Sequence, residues 1–253
     1  MGKLFDDSWN AVNIVSDRVV HAITHQVDGR MDVKLDQVYG VISGDVVGST
    51  KLDKFKREAL FHTMREGSDL LKDWLGRKTM PLDVDIYGGD SWQVLLTNPG
   101  KTLAAGLLYR AHLRASNPKC DTRFVVAIGA IDFVPGKNVS EGDGEAFRLS
   151  GQLLADGLRR RRMAFAAHDR EAANRWDLAF DLIDSLASHH WSEKQALAMT
   201  GALRGWKQEE IGTLWNPPIE QPTVNRRLKL AGWSSISRAI AEFEQFWAAH
   251  DRK

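Results

Sequence analysis

Residues 38–43, Val-Tyr-Gly-Val-Ile-Ser, run without a charge. A strand of that composition has no side to offer water, so it belongs in the middle of a sheet with both faces covered. The covering layers must come from the flanking sequence, and they are legible there. Thr50 followed by Asp53 resembles a capping box and opens a helix expected to run through about Trp74 and stop at Gly76. Next, "PLDVDIYGGDSWQVLLT" reads as two short strands around Gly88-Gly89-Asp90, a hairpin signal because glycine reaches positive φ at no steric cost. Asn98-Pro99 caps a second helix that carries Leu103, Leu107, Leu108 and Leu113 towards Ser116. "RFVVAIGAIDFV" is a long strand, a helix follows from about Glu145 to Leu158, and "RMAFAA" closes the series as a strand. The order β-α-β-β-α-β-α-β is that of a ferredoxin-like, split βαβ fold with one extra unit, an α+β architecture.

Segments of different pattern flank this block. Residues 9–26 set Ala11, Ile14, Val15, Val19 and Ala22 at helical spacing after Ser8, an amphipathic helix ahead of the sheet. From Arg175 onward the pattern is wholly helical, with Trp176, Trp191, Trp206, Trp215, Trp233 and Trp247 spaced along it and no strand signal. The expected division is a helical extension over 1–36, a sheet domain over 37–170 and a helical domain over 171–253. The full 253 residues, 43% hydrophobic and 26% charged, suffice for these bodies. With Lys+Arg 34 against Asp+Glu 33, any nucleic-acid or membrane partner must be met by a local patch, not by overall charge. The lone Cys120 excludes an intrachain disulfide and a thiolate metal cage, and suits a reducing compartment. Asp17 and Arg18 interrupt the N-terminal valines and nowhere do 18 apolar residues run together, so no export signal or membrane span is expected and the cytoplasm is the expected location. "RRRR" at 159–162 is the only charge run, read first as a solvated helix end and second as a phosphate contact. The histidines show no metal-ligand spacing and are assigned no role.

Chemistry concentrates where the buried strand ends. Asp45 lies at its mouth, and the split βαβ order makes the "YGGD" hairpin a neighbour, so Asp45 and Asp90 are expected to converge. Two carboxylates that close repel unless a cation sits between them, and Mg²⁺ suits them because it takes one or two carboxylates together with waters and phosphates. Gly48 permits close backbone approach, and the N–H groups of Ser49, Thr50 and the first helical turn would offer a triphosphate donors and a favourable dipole. Each motif alone also has a plain reading, as a cap or a turn. The phosphatase start D-x-D-G-T fails because Val47 stands where the second acid is required, and the P-loop pattern is missing.

"SGDVVGSTKL" and "YGGDSWQVLL" resemble the metal-binding strand and the G-D hairpin of class III nucleotidyl cyclases. "ISGDVVGS", "GGDSWQ", "AIGAI" and "GDGEAFRLS" occur in the order of the SatD family, followed by a helical tail, over roughly residues 38–240. The resemblance implies a palm-type domain in which Asp45 and Asp90 are metal carboxylates and Val46 lends a backbone oxygen. Such palms hold two metals, Mg²⁺ or Mn²⁺, one at an attacking 3′-hydroxyl and one at the triphosphate of a nucleotide. Departures are specific. Ile86 occupies the place of the cyclases' base-reading lysine, and Arg148 and Gln152 stand where a late helix carries asparagine and arginine. Arg148 is the remaining candidate for stabilising phosphoryl charge.

In the tail, "WKQEEIGTLW" places Ile211 and Leu214 inward, and "QPTVNRRLKLAG" has Val224, Leu228 and Leu230 as its apolar positions. The pair resembles a helix-turn-helix with Gly212 at its small-residue position. Its second helix would bring Gln221, Thr223, Asn225, Arg226, Arg227 and Lys229 to the major groove of duplex DNA. A helical module docking protein is the other reading. The final helix sets Ile236, Ile240, Phe243 and Trp247 on one face, to pack home or dimerise. Two functions follow: a metal-dependent nucleotidyl cyclase or nucleotidyltransferase carrying a DNA-binding tail, with a homodimer open, or a DNA-binding regulator whose degenerate palm senses a nucleotide.

Overall fold

The structure is a computed structural model that describes residues 33–34, 37–116, 120–158 and 160–250. The helix expected over 9–26 lies outside these residues. In chain order the elements are β1 (Tyr39–Val46), α1 (Lys54–Thr79), β2 (Asp85–Tyr87), β3 (Ser91–Leu96), α2 (Thr102–Ser116), β4 (Thr122–Gly129), α3 (Glu145–Ala155) and β5 (Met163–Ala167). Five helices follow: α4 (Arg170–His190), α5 (Glu193–Leu203), α6 (Gln208–Gly212), α7 (Gln221–Leu230) and α8 (Trp233–His250).

The strands form one five-stranded mixed sheet in the order β2-β3-β1-β4-β5, antiparallel except for the parallel pair β4 and β5. β1 is central, as its composition demands. Alternation along it divides the core. Ile42 and Val46 join Trp92, Val94, Phe124 and Val126 in the layer that packs on Leu60, Met64 and Leu71 of α1 and Leu103, Leu107 and Leu108 of α2. Tyr39 and Val41 face the other way, towards Ala146 and Phe147 of α3. On that second side Gln93 donates to Ser43 Oγ at 2.6 Å, and the Ser43 and Ser150 hydroxyls lie 2.8 Å apart. These buried polar groups are thereby satisfied, which removes the desolvation cost of leaving them bare.

The apolar cluster on the α1 side continues without a break into Trp176, Phe180, Ile236, Phe243 and Trp247 of the tail. Phe165 of β5 meets Phe180 at 5.3 Å and Phe243 at 5.7 Å between ring centroids. Ion pairs add a second tie. Arg110 of α2, wholly buried, donates to Asp121 at 2.8 Å, to Asp184 of α4 at 2.7 Å and to Ser188 at 2.8 Å. Burial alone would raise the Asp121 carboxyl, but the charges of Arg110 and Arg114 outweigh it and hold the group below its ordinary value. Within the arginine run, Arg161 is tied in likewise, pairing with Asp177 at 2.9 Å.

Two local expectations are corrected, and the tail helix adds a detail. Asp53, not Thr50, caps α1, accepting from Lys56 N at 2.9 Å, because residues 49–51 are used in a separate 3-10 turn. β4 ends at Gly129, and the rest of "GAIDFV" is an irregular segment joined by a bridge between Phe133 and Asp143. Leu230 is 53% exposed: Val224 and Leu228, four residues apart, form the buried seam, and Leu230 lies on the far side of the helix.

Candidate functional site

The end of β1 is held on every side. Gly44 has no side chain because none fits: a Cβ there would stand 2.6 Å from the Trp92 ring and 2.7 Å from the Arg123 carbonyl. The ring so admitted donates from Nε1 to Thr122 Oγ1 at 2.8 Å, and Thr122 Oγ1 donates to the Asp45 carbonyl at 2.6 Å. Val46 N donates to Asp90 O at 3.0 Å and Val47 N to Asp121 O at 2.8 Å. Asp45 is therefore fixed in backbone position between β3 and β4. Asp45 pairs with Ser91, the residue beside Asp90, so the two acidic positions stand one residue out of register at the same end of the β1–β3 ladder.

The two carboxylates have different company. Asp45, 20% exposed in its side chain, pairs with its direct cross-strand neighbour Arg123, whose Nε lies 2.8 and 2.9 Å from the two oxygens. Arg123 is raised above its ordinary value first by this hydrogen bond, and the charges of Asp45 and Asp90 add to the shift. Asp90 accepts from the hydroxyl of Ser49. Beside it lies a cleft of about 120 Å³ lined by Ser49, Thr50, Arg57, Gly88, Gly89 and Asp90. That volume suits a phosphate group or a few waters and falls short of the ~300–1,000 Å³ of sites that enclose a whole small molecule. Gly88 and Gly89, at φ 61° and 94°, make the turn that opens it, and Gly48 at φ 76° turns the chain from β1 into the Ser49–Lys51 segment. Tyr87 is pushed up by burial and then by the charges of Asp85 and Asp45.

The expected residues separate accordingly. Asp45, Val46, Gly48, Ser49, Thr50 and Asp90 gather at one sheet end, with Asp45 on the Arg123 side and Asp90, Ser49 and Thr50 at the cleft. The helical N–H groups expected to cradle phosphate start later than Thr50, and Asp53 already occupies them. Arg148 is elsewhere. It pairs with Asp143 at 2.7 Å and Asp132 at 3.3 Å, in the segment beyond the opposite end of β4, with 60% of its side chain exposed. Sequence reasoning missed Arg57, Tyr87 and Arg123. Arg57 had a signal, a cation one turn into the helix after the Gly-Ser-Thr turn; Arg123 had none, since only the register of β1 with β4 brings it to Asp45.

Two carboxylates, a nearby carbonyl and solvent fit the hard-oxygen set of Mg²⁺, which keeps several waters of its own. Among the described residues no cluster of three or more His, Cys, Asp or Glu side chains forms a closed metal cage. In the tail, a Cβ on Gly212 would stand 2.3 Å from Ile219 O, so the tight approach of α6 to the segment before α7 requires glycine. Gln221, Asn225, Arg226 and Lys229 are exposed on α7, whereas Thr223 and Arg227 are half-buried. Arg227 lies over the Trp215 ring at 5.0 Å.

No family model matches the chain, and no curated protein matches it. Among solved structures, two of a bacterial light-regulated adenylyl cyclase are similar, at 14% identity with TM-score 0.41 and at 13% with TM-score 0.39. Each alignment covers 62% of this chain, which spans about half (52%) of the length of those proteins. The likeness is distant, and the chemistry of the site stands on its own residues. Among the described residues no helix is long and apolar enough to cross a membrane.

Proposed function

We propose that the chain is a palm-type protein of SatD kind that binds a nucleoside triphosphate with Mg²⁺ or Mn²⁺ at the end of β1, and that it acts as a nucleotidyl cyclase or nucleotidyltransferase. The supporting observation is the backbone bond from Val46 N to Asp90 O, 3.0 Å, which ties the two acidic positions together beside a cleft of phosphate size. In this reading Asp45, Asp90 and the Val46 carbonyl hold the metal ions, and Arg57, Ser49 and Thr50 receive phosphoryl oxygens. When bound, the metal supplies Lewis-acid stabilisation of phosphoryl charge and lowers the pKa of an attacking hydroxyl. The protein's part is to fix the carboxylates through Thr122, Trp92 and the sheet register, so that little reorganisation remains at reaction. Arg148, engaged with Asp132 and Asp143, drops out of the catalytic set.

The exposed stripe of Gln221, Asn225, Arg226 and Lys229 is read as a helix-turn-helix surface for duplex DNA, with Arg227 a support stacked on Trp215 and Thr223 at its edge. The location proposed is the cytoplasm, and a homodimer would complete a site whose cleft is too small for a whole nucleotide. A second reading, a DNA-binding regulator with a sensing palm, is favoured by the neutralisation of Asp45 by Arg123 and the displacement of Arg148. Incubation with each of the four NTPs and Mg²⁺ or Mn²⁺, followed for pyrophosphate and new nucleotide products, separates the two. Turnover lost in Asp45→Ala supports the enzyme; binding without turnover supports the sensor.

A further inference from the structure

The pairing at Asp45 carries an inference about how the site is regulated, and it rests on the metal-binding reading above. One guanidinium nitrogen, Arg123 Nε, lies within 2.9 Å of both oxygens of the Asp45 carboxylate. The pair is built by the register of β1 against β4, so the arginine is a fixed neighbour and not a long side chain that drifted there. Among the described residues Arg123 hydrogen-bonds no other group through its side chain. Its side chain is 39% exposed, so water can rehydrate the guanidinium as it leaves. Arg110 of α2, whose partner Asp121 lies two residues before Arg123, is wholly buried and bound to Asp121, Asp184 and Ser188, and has no such exit.

We infer that Arg123 is a resident counter-ion of Asp45 that exchanges with a divalent cation. Without a metal it neutralises the Asp45 carboxylate. A divalent ion on the Asp45 oxygens and a guanidinium at 2.8 Å from the same oxygens would be like charges in contact, so metal binding requires the arginine to swing off. The arrangement sets a threshold: metal must outcompete a tethered cation before the site is armed.

Two measurements test this. Mn²⁺ alone is titrated into wild-type protein, Arg123→Gln, Arg123→Lys and Asp45→Asn, with free Mn²⁺ read by electron paramagnetic resonance and folding checked by melting curves. Arg123→Gln is expected to bind Mn²⁺ about five- to tenfold more tightly, the scale of one half-exposed ion pair with a charged hydrogen bond. Arg123→Lys should remain near wild type. In the wild-type protein the Arg123 Nε–H resonance should move to the position and fast exchange of a free guanidinium as Mg²⁺ saturates the site, a readout independent of any variant. If Asp45→Asn abolishes binding while Arg123→Gln binds no more tightly and the resonance stays put, the metal site stands and the exchange is wrong. If Asp45→Asn binds Mn²⁺ as wild type does, the metal reading fails and the exchange with it.

Discussion

Two arginine–aspartate systems flank the start of β4, and they are built to different ends. Arg110 with Asp121 and Asp184 is buried, and each neighbour around the guanidinium is a fixed acceptor on a helix or a strand end. Arg123 with Asp45 is half-open and rests on a single carboxylate. Burying an ion pair costs desolvation that only complete satisfaction offsets, so the first system is tolerable because it is closed, and it locks α2, α4 and β4 into one body. The second is incomplete and accessible, which leaves it available for exchange. Burial and saturation, more than the identity of the charged groups, separate an internal staple from a pair that solvent can reach.

The largest effect should come from opening the closed system. Arg110→Ala leaves the buried Asp184 without its paired guanidinium and Asp121 with Arg114 as its remaining close cation, and should cost about 3–5 kcal/mol of stability by chemical denaturation. Loss below about 1 kcal/mol would show that the staple is not holding the tail to the sheet. The same system sets a pH dependence. Asp121 is held below its ordinary value of 3.8, so its stabilisation is fully present above the unfolded value and is lost as pH falls through the lower folded one. Denaturation midpoints between about pH 6 and pH 2 should therefore fall less steeply for Asp121→Asn, from a lower starting stability, than for wild type.

Intermediate effects belong to the scaffold of the open system. Gly44→Ala drives a methyl against Trp92 and the Arg123 carbonyl, and should cost about 1–3 kcal/mol. It should also weaken nucleotide binding, because the ring it displaces holds Thr122 against the Asp45 carbonyl. Arg123→Gln, by contrast, should change stability by about 1 kcal/mol or less after solvent screening. Arg148→Ala should leave both the melting temperature and any nucleotide chemistry unchanged within error, since its pairs lie in solvent at the far end of β4.

The order of elements and the meeting of the Asp45 strand end with the Asp90 hairpin were legible because they follow from local signals: an uncharged strand, a Gly-Gly turn and the adjacency that a split βαβ order imposes. Where two capping residues lay close together, sequence alone chose wrongly; Thr50 and Asp53 both favour a cap, and the 3-10 turn decided between them. Arg123 was illegible for a different reason. Its partner is distant in the chain, and only the strand register, a tertiary property, joins them. Arg148 illustrates the converse, a residue correctly placed on its helix whose partners in the segment after β4 could not be seen.

Calorimetric titration of nucleoside triphosphate into the wild-type protein and into an Asp45→Asn, Asp90→Asn double variant, with Mg²⁺ and then with EDTA, tests the account most directly. Saturable binding that needs Mg²⁺ and vanishes in the double variant is the expected result. Binding that persists unchanged without the metal, or without both carboxylates, would contradict it.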